Sequence, residues 1–191
     1  MAILPIVTYN DPILRKETKP IQEDSESLQR LIDEMFETMY NSNGVGLAAP
    51  QIGQDIQLFV MDADVMTEEI DNEDNLGPLV LINPEIISKE GDKIKMEEGC
   101  LSIPEVRDDV TRPERVTVSF QNRDFETEQM TVSGWVSRVI QHEYDHLQGI
   151  LFLDHLSAFR RRLHRSVLKK IQNGKLETKY PVAAKKVTEQ G

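Results

Sequence analysis

The sequence predicts an α+β fold, with small mixed sheets packed around a central helix and a further helix near the C-terminus. Three observations predict it: an early amphipathic helix, several short strand-like segments in the middle, and two helical patterns in the last third. Helices and strands that do not alternate regularly favour α+β over a parallel α/β sheet. The 191 residues suit one compact domain. We assign residues 1–175 to that domain and 176–191 to a flexible tail.

The first helix is predicted over residues 25–40, where apolar side chains recur at helical spacing and Asp24 or Ser25 can cap the start. A second helix is predicted from about Val132 to about Gln148, where Gly149 ends it. The other predicted elements are strands at 56–62, 79–87 and 115–121, an acidic surface loop at 64–77, a polar hairpin or edge at 90–98, and a basic helix over roughly 155–172.

The net charge of −11 is unevenly distributed along the chain. Residues 156–175 contain seven Arg or Lys and no acid, so the rest of the chain carries −11 − 7 = −18. Two interpretations remain open for this basic segment: a solvated helix face, or a surface that contacts a polyanion. The apolar runs are too short to span a membrane, and no secretory signal is recognisable, so we expect an intracellular protein.

The segment "QHEYDH" at 141–146 carries the strongest chemical signal. His142 and His146 are four residues apart, so on a helix they share one face and can bind one ion. Glu143 lies beside them and is turned aside, which suits a general base better than a ligand. Apolar neighbours indicate a buried helix, and buried histidines without a partner are costly. The pattern therefore indicates a metal-dependent hydrolase.

A catalytic metal needs a third protein ligand and an open position. The motif HExxHxxGxxH of one protease class is matched only to Gly149, because Phe152 stands where the last His belongs. Cys100 is a candidate, since a thiolate and two imidazoles suit zinc or ferrous iron, and Asp154 and His155 are weaker ones. A lone cysteine can equally be a buried hydrophobe.

Three rival functions remain open at this point. A zinc endopeptidase lacks a matching third ligand. A metal-stabilised binding module that contacts RNA through the basic helix needs a closed site of four ligands, for which His155, His164 and acids are the spare candidates. A Cys100–His nucleophilic pair would retain its activity after chelation.

Three motifs together resemble those of the peptide deformylases, in the same order and at similar separations. They are "GVGLAAPQIG" (44–53), "EGCLS" (98–102) and "QHEYDH" (141–146), and the resemblance extends to about residue 160. It implies a bacterial enzyme of the cytoplasm that removes the formyl group from the N-formylmethionine of nascent polypeptides and releases formate. Its expected substrates are N-formylmethionyl peptides, with no membrane or DNA partner, and the basic segment 156–175 is expected to contact the ribosome.

The resemblance also implies the roles of individual residues. Cys100, His142 and His146 would bind one divalent metal, Fe²⁺ in the cell and Zn²⁺ or Ni²⁺ in isolated samples. Metal-bound water would attack the formyl carbon with Glu143 as general acid/base. The Gln51 amide and the Leu101 N–H would stabilise the oxyanion.

The substrate pocket is predicted from the same motifs and their neighbours. Residues expected to bind substrate are Val45, Gly46, Glu98, Arg107 and Val139, and the pocket for methionine would also use Trp135 and the aliphatic part of Arg138. Each has a plainer interpretation. The apolar residues can belong to the core, Arg107 can pair with Asp108 or a nearby Glu, and Glu98 can be an anchor behind the site or a solvated acid.

Overall fold

One antiparallel sheet organises the part of the chain that the computed structural model describes, residues 2–70 and 75–185. Its strands are β1 (Gly46–Ala48), β2 (Leu58–Asp62), β3 (Pro78–Cys100), β4 (Ile103–Gln121) and β5 (Thr127–Val132). Each strand pairs with the next along the chain. The α+β prediction is confirmed, although the strands form one continuous antiparallel sheet rather than small mixed sheets.

Five α-helices accompany the sheet in the described residues. They are α1 (Glu26–Asn41), α2 (Asp64–Thr67), α3 (Gly134–Leu147), α4 (Ala158–Leu163) and α5 (Arg165–Gln172). Three short 3₁₀ helices lie at Pro12–Arg15, Ala49–Ile52 and Phe152–His155. The predicted first helix is confirmed, and Ser25 caps it by accepting a hydrogen bond from the Leu28 N–H.

Several predicted boundaries differ from the observed ones. The predicted strand at 79–87 and the polar hairpin or edge at 90–98 are two parts of the long strand β3, whose pairing with β4 shifts register at several bulges. The predicted basic helix breaks into α4 and α5 at His164. Helix α2 lies within the segment 64–77, for which the sequence predicts a surface loop, and residues 71–74 of that segment are outside the described residues.

Helix α3 is the buried element around which the site forms. Its side chains Val136, Val139 and Ile140 pack with the sheet residues Val116 and Val118 in one apolar cluster. Gly149 follows the helix at φ +73°, and a Cβ there would lie 2.5 Å from the Arg15 carbonyl oxygen. The glycine therefore allows the chain to reverse closely against residues 15–16, which is the helix end that the sequence predicted.

The segment 176–185 lies against the body, whereas the sequence predicted a flexible tail from residue 176. Val182 forms a parallel bridge with Ile6, and the Ala183 N–H donates to the Ile6 carbonyl at 2.8 Å. The last part of the predicted tail, 186–191, falls outside the described residues. Across the described ranges, no helix has the length and apolarity needed to cross a bilayer.

Candidate active site

The turn between β3 and β4 brings Cys100 to helix α3. Cys100 ends β3, Leu101 and Ser102 form the turn, and β4 begins at Ile103. The Cys100 Sγ lies 3.3 Å from His146 Nε2, and one donor atom each of Cys100, His142 and His146 lies within 4.8 Å of the others. The structure thus brings together the three residues that the sequence suggested as ligands.

The chemistry of these three side chains fits a divalent metal ion. His142 is held through Nδ1 by the Glu98 carboxylate at 2.8 Å, which leaves its Nε2 for an ion. Burial beside His142 lowers the pKa of His146 to about 3, so this imidazole is neutral and able to ligate. One thiolate and two imidazoles are a ligand set used by catalytic zinc and leave a fourth position open.

Glu98 is the centre of a buried ion network behind the three candidate metal ligands. It accepts hydrogen bonds from Arg112 at 2.7 and 3.0 Å and from Arg138 at 2.9 Å. Burial alone would raise the pKa of Glu98, but the hydrogen bonds from His142 and Arg112 hold it well below its usual range. Glu98 is therefore an ionised anchor behind His142 and not a solvated acid.

Asp145 extends this network along the same helix. Its Oδ2 accepts from Arg112 Nη1 at 2.8 Å and lies 2.8 Å from His155 Nε2. Arg112 thus bridges two carboxylates, one on β3 and one on α3, with 3 % of its side chain exposed. Strand β4 and helix α3 are fixed relative to each other by charges that are paired on both sides.

Glu143 lies in the interior, packed against backbone. Only 4 % of it is exposed, and among the described residues no hydrogen-bond partner reaches its Oε2. A Cβ on Gly46 would lie 2.5 Å from Glu143 Oε1, so the glycine makes room for the carboxyl. Burial raises the pKa of Glu143 to about 7. A buried carboxyl with one free oxygen is suited to exchanging a proton with a bound molecule.

The Gln51 side chain is oriented by its neighbours. Its Oε1 accepts from the Ala48 N–H at 2.9 Å, which fixes the direction of the amide group. Its Nε2 then points to Ser102 Oγ at 3.2 Å and Cys100 Sγ at 3.5 Å. An N–H donor is thus held beside the ligand cluster, next to the Leu101 turn.

A cavity of about 620 Å³ adjoins these groups, and Asp145 and His146 lie behind the residues that line it. The residues predicted for the site that line it are Val45, Gly46, Gln51, Glu98, Cys100, Leu101, Arg107, Trp135, Arg138, Val139, His142 and Glu143. Arg107 lies at the rim and pairs with Glu97 at 2.8 Å, which is the pairing with a nearby Glu that the sequence left open. Asp108 instead binds Arg160 and His164.

A comparison with protein-family models decides the family. The model described as polypeptide deformylase matches residues 3–162. The chain belongs to the polypeptide deformylase family. It is therefore an enzyme of the hydrolase class, as the sequence predicted.

Relatives of the polypeptide deformylase family match nearly the full length of the chain. The peptide deformylase of Salinibacter ruber is 50 % identical over 186 residues, which cover 96 % of this chain and 95 % of that protein. The crystal structure of a peptide deformylase from Legionella pneumophila has a TM-score of 0.79 at 42 % identity, covering 91 % of this chain and 98 % of that one.

A ligand-bound family structure also resembles this chain. The crystal structure of peptide deformylase from Ehrlichia chaffeensis in complex with actinonin has a TM-score of 0.82 at 35 % identity. It covers 93 % of this chain and 100 % of that one.

Some residues of the deformylase site were missed in the sequence. Arg112 carried a signal, because it continues the alternation in which Val106, Asp108 and Val110 face inward. The only sequence signal for Asp145 was its position directly before His146. Tyr180, which lines the cavity, gave no signal that could be distinguished from a tail residue.

Proposed function

We propose that the enzyme removes the formyl group from the N-terminal formylmethionine of nascent polypeptides. Water adds to the formyl carbon and the C–N bond breaks, so the products are formate and a free amino terminus. The observation that carries the proposal is the position of Glu143. Glu143 is next to the ligand candidate His142 on helix α3, and it lines the same cavity as His142 and Cys100, which the chain end of a peptide can enter.

Cys100, His142 and His146 hold one divalent cation in this proposal, which we infer to be Fe²⁺ in the cell and Zn²⁺ or Ni²⁺ in isolated samples. The mixed thiolate and imidazole donors accept each of these ions. When bound, the cation supplies Lewis acidity for amide hydrolysis. The Glu98 carboxylate keeps the His142 ring in the orientation and tautomer needed for ligation.

The protein's own groups handle the proton and the developing charge. Glu143 accepts a proton from the attacking water and returns it to the nitrogen of the leaving amine. As the formyl oxygen becomes negative, the Gln51 amide and the Leu101 N–H donate hydrogen bonds to it. The Ala48 N–H holds the Gln51 amide in place beforehand, so little reorganisation is needed during the reaction.

The cavity provides the groups that would bind the rest of the substrate. Val45, Gly46 and Val139 contact the methionine side chain in this proposal, since they line the cavity beside Glu143. Arg107 binds the peptide at the rim, where its side chain is 60 % exposed. Glu98 also lines the cavity, and it holds His142 in place there through the hydrogen bond to Nδ1.

Formate release by anaerobically purified protein tests the proposal. A short formyl-Met peptide is the substrate, and the metal content of the same sample is measured. We expect formate release from protein that contains near one metal per chain. Treatment with a chelator should remove the metal and abolish formate release in parallel. Full metal occupancy without formate release would contradict the proposal and would favour the metal-stabilised binding module.

We propose further that the basic segment 156–175 contacts the ribosome, in the bacterial cytoplasm where nascent chains emerge. Phe159 and Leu163 are exposed on α4, one helical turn apart, at 66 % and 58 %. Exposed apolar side chains among arginines favour a surface that contacts a partner over a merely solvated face.

Co-sedimentation with 70S ribosomes tests this contact. Arg161→Glu with Arg162→Glu should reduce binding and weaken its dependence on salt, because phosphate contacts release counterions. The double variant Lys93→Glu with Lys95→Glu changes the same charge on exposed residues of β3 and should bind as wild type does. Equal binding by all three proteins would contradict the contact.

A further inference from the structure

The C-terminal segment beyond α5 contacts the reaction site directly. Glu177, Thr178, Lys179 and Tyr180 line the same cavity as Glu143. The Tyr180 hydroxyl donates a hydrogen bond of 2.7 Å to the Leu101 carbonyl oxygen. A residue outside the predicted domain of 1–175 therefore holds the turn that supplies an oxyanion donor.

The backbone around Tyr180 is itself anchored. The Ile6 N–H donates to the Pro181 carbonyl at 3.0 Å, and the Ala183 N–H returns a bond to Ile6 at 2.8 Å. Thr178 Oγ1 donates to the Tyr180 carbonyl at 2.7 Å. Tyr180 thus reaches the turn from a segment that is bound to Ile6 directly after it and by a local hydrogen bond from Thr178 before it.

The residues that follow Ile6 connect the anchored C-terminal segment to the site. The Val7 N–H donates to the Gln51 carbonyl at 2.7 Å, and the Tyr9 N–H donates to the Ser102 carbonyl at 2.8 Å. The Tyr9 N–H therefore holds the Ser102 carbonyl of the turn, and the Tyr180 hydroxyl holds the Leu101 carbonyl. Both carbonyls of the turn, those of Leu101 and Ser102, have a donor from outside their own strands.

We propose that Tyr180 is a positioning residue for deformylation: its hydrogen bond to the Leu101 carbonyl sets the direction of the Leu101 N–H. The Leu101 carbonyl and the Leu101 N–H belong to the two peptide planes that meet at its Cα. Cys100 holds the preceding plane at the end of β3 and Tyr180 holds the following one, so together they limit the backbone rotation that would turn the donor away. The inference rests on the proposed function for its catalytic meaning. The restraint on the turn can be measured independently of catalysis.

Tyr180→Phe is the decisive variant, because it removes one hydroxyl and keeps the ring, which packs against the same apolar cluster as Leu101. Tyr40→Phe is the matched control, since the Tyr40 hydroxyl also donates one hydrogen bond at 2.6 Å, but to the Asp62 carboxylate and not to the turn. Metal-loaded wild type and both variants are compared with a formyl-Met tripeptide. Hydrogen exchange of the backbone amides at residues 100–102 is measured on the same samples.

We expect Tyr180→Phe to lower kcat about tenfold with KM within about twofold, a smaller effect than the ~10²–10³ loss on deleting an oxyanion donor. Amide exchange at 100–102 should accelerate in this variant and not in Tyr40→Phe. Unchanged exchange, or an unchanged kcat in an active enzyme, would overturn the proposal. If wild type releases no formate, the proposed function fails, while the exchange rates still decide whether Tyr180 restrains the turn.

Discussion

The carboxylate of Glu98 lies 2.8 Å from Nδ1 of His142, on the side of the ring away from the ligand cluster. Glu98 is also bound by Arg112 and Arg138, so its position does not depend on His142 alone. A metal ligand that is held from behind keeps its tautomer and direction in the absence of an ion. The geometry of the site is therefore built into the fold through charges on β3, β4 and α3.

Glu98→Gln should weaken metal binding and destabilise the protein. The amide removes the charge that balances Arg112 and Arg138, and loss of one partner of a buried ion pair costs roughly 3–5 kcal/mol. Metal affinity should fall about 10–100-fold, as expected when the residue behind a ligand is lost. Chelator competition and urea unfolding measure the two effects.

Glu97→Gln is the matched control for this prediction. Glu97 is the preceding residue, and its side chain is 59 % exposed against 4 % for Glu98. An exposed pair contributes only ~0–1 kcal/mol, so this variant should bind metal and unfold nearly as wild type does. If the two substitutions changed metal affinity and stability equally, the prediction that the buried Glu98 supports both properties would be contradicted.

Gly46→Ala should lower kcat and leave the metal content unchanged. The added Cβ would lie 2.5 Å from Glu143 Oε1, so the carboxyl must move. A displacement of about 1 Å in a catalytic group can cost ~10²-fold in rate. Gly77→Ala is the control: nothing lies within 4 Å of its Cβ, although its φ of +68° strains the backbone. It should lose about 1 kcal/mol of stability and retain its activity.

Asp108 should make stability depend on pH in the acid range. Burial raises its pKa, but hydrogen bonds from Arg160 and His164 outweigh this and lower the pKa from 3.8 to about 2. The unfolded state therefore binds the proton first as the pH falls. The stabilisation is complete above pH 3.8 and is lost as the pH falls towards about 2.

Urea unfolding between pH 5 and pH 2 measures this contribution. Wild type should lose stability more steeply than Asp108→Asn over the lower part of that range, because the asparagine does not titrate. The variant should also be less stable at neutral pH, where the ionised Asp108 of the wild type binds Arg160 in α4 and His164 at the C-terminal end of α4. Parallel curves for the two proteins would contradict the assignment.

The parts of the site that the sequence predicted are those with local spacing. Once residues 141–146 form a helix, His142 and His146 lie one turn apart and Glu143 lies beside them, independently of the tertiary fold. Cys100 could be proposed as a ligand, but only the turn between β3 and β4 brings it within 3.3 Å of His146. The resemblance to a family, and not the spacing, supplied that pairing.

The parts that could not be predicted depend on tertiary partners. A buried Arg such as Arg112 is unusual, since charged residues are almost always exposed unless they are paired. Its partners Glu98 and Asp145 are 14 and 33 residues away along the chain. The packing of 176–185 was missed for a related reason, because this short segment, which has no periodic pattern of its own, gains its order from contacts with residues 6–9 and 101.

The central claim is that Glu143 transfers the proton while other residues hold the metal. The most direct test measures formate release and metal content together for metal-loaded Glu143→Gln, with Glu90→Gln, an exposed glutamate of β3, as the control. We predict a loss of turnover of at least ~10²-fold at near one metal per chain in Glu143→Gln, and wild-type values in the control. Turnover close to wild type in metal-loaded Glu143→Gln would contradict the account.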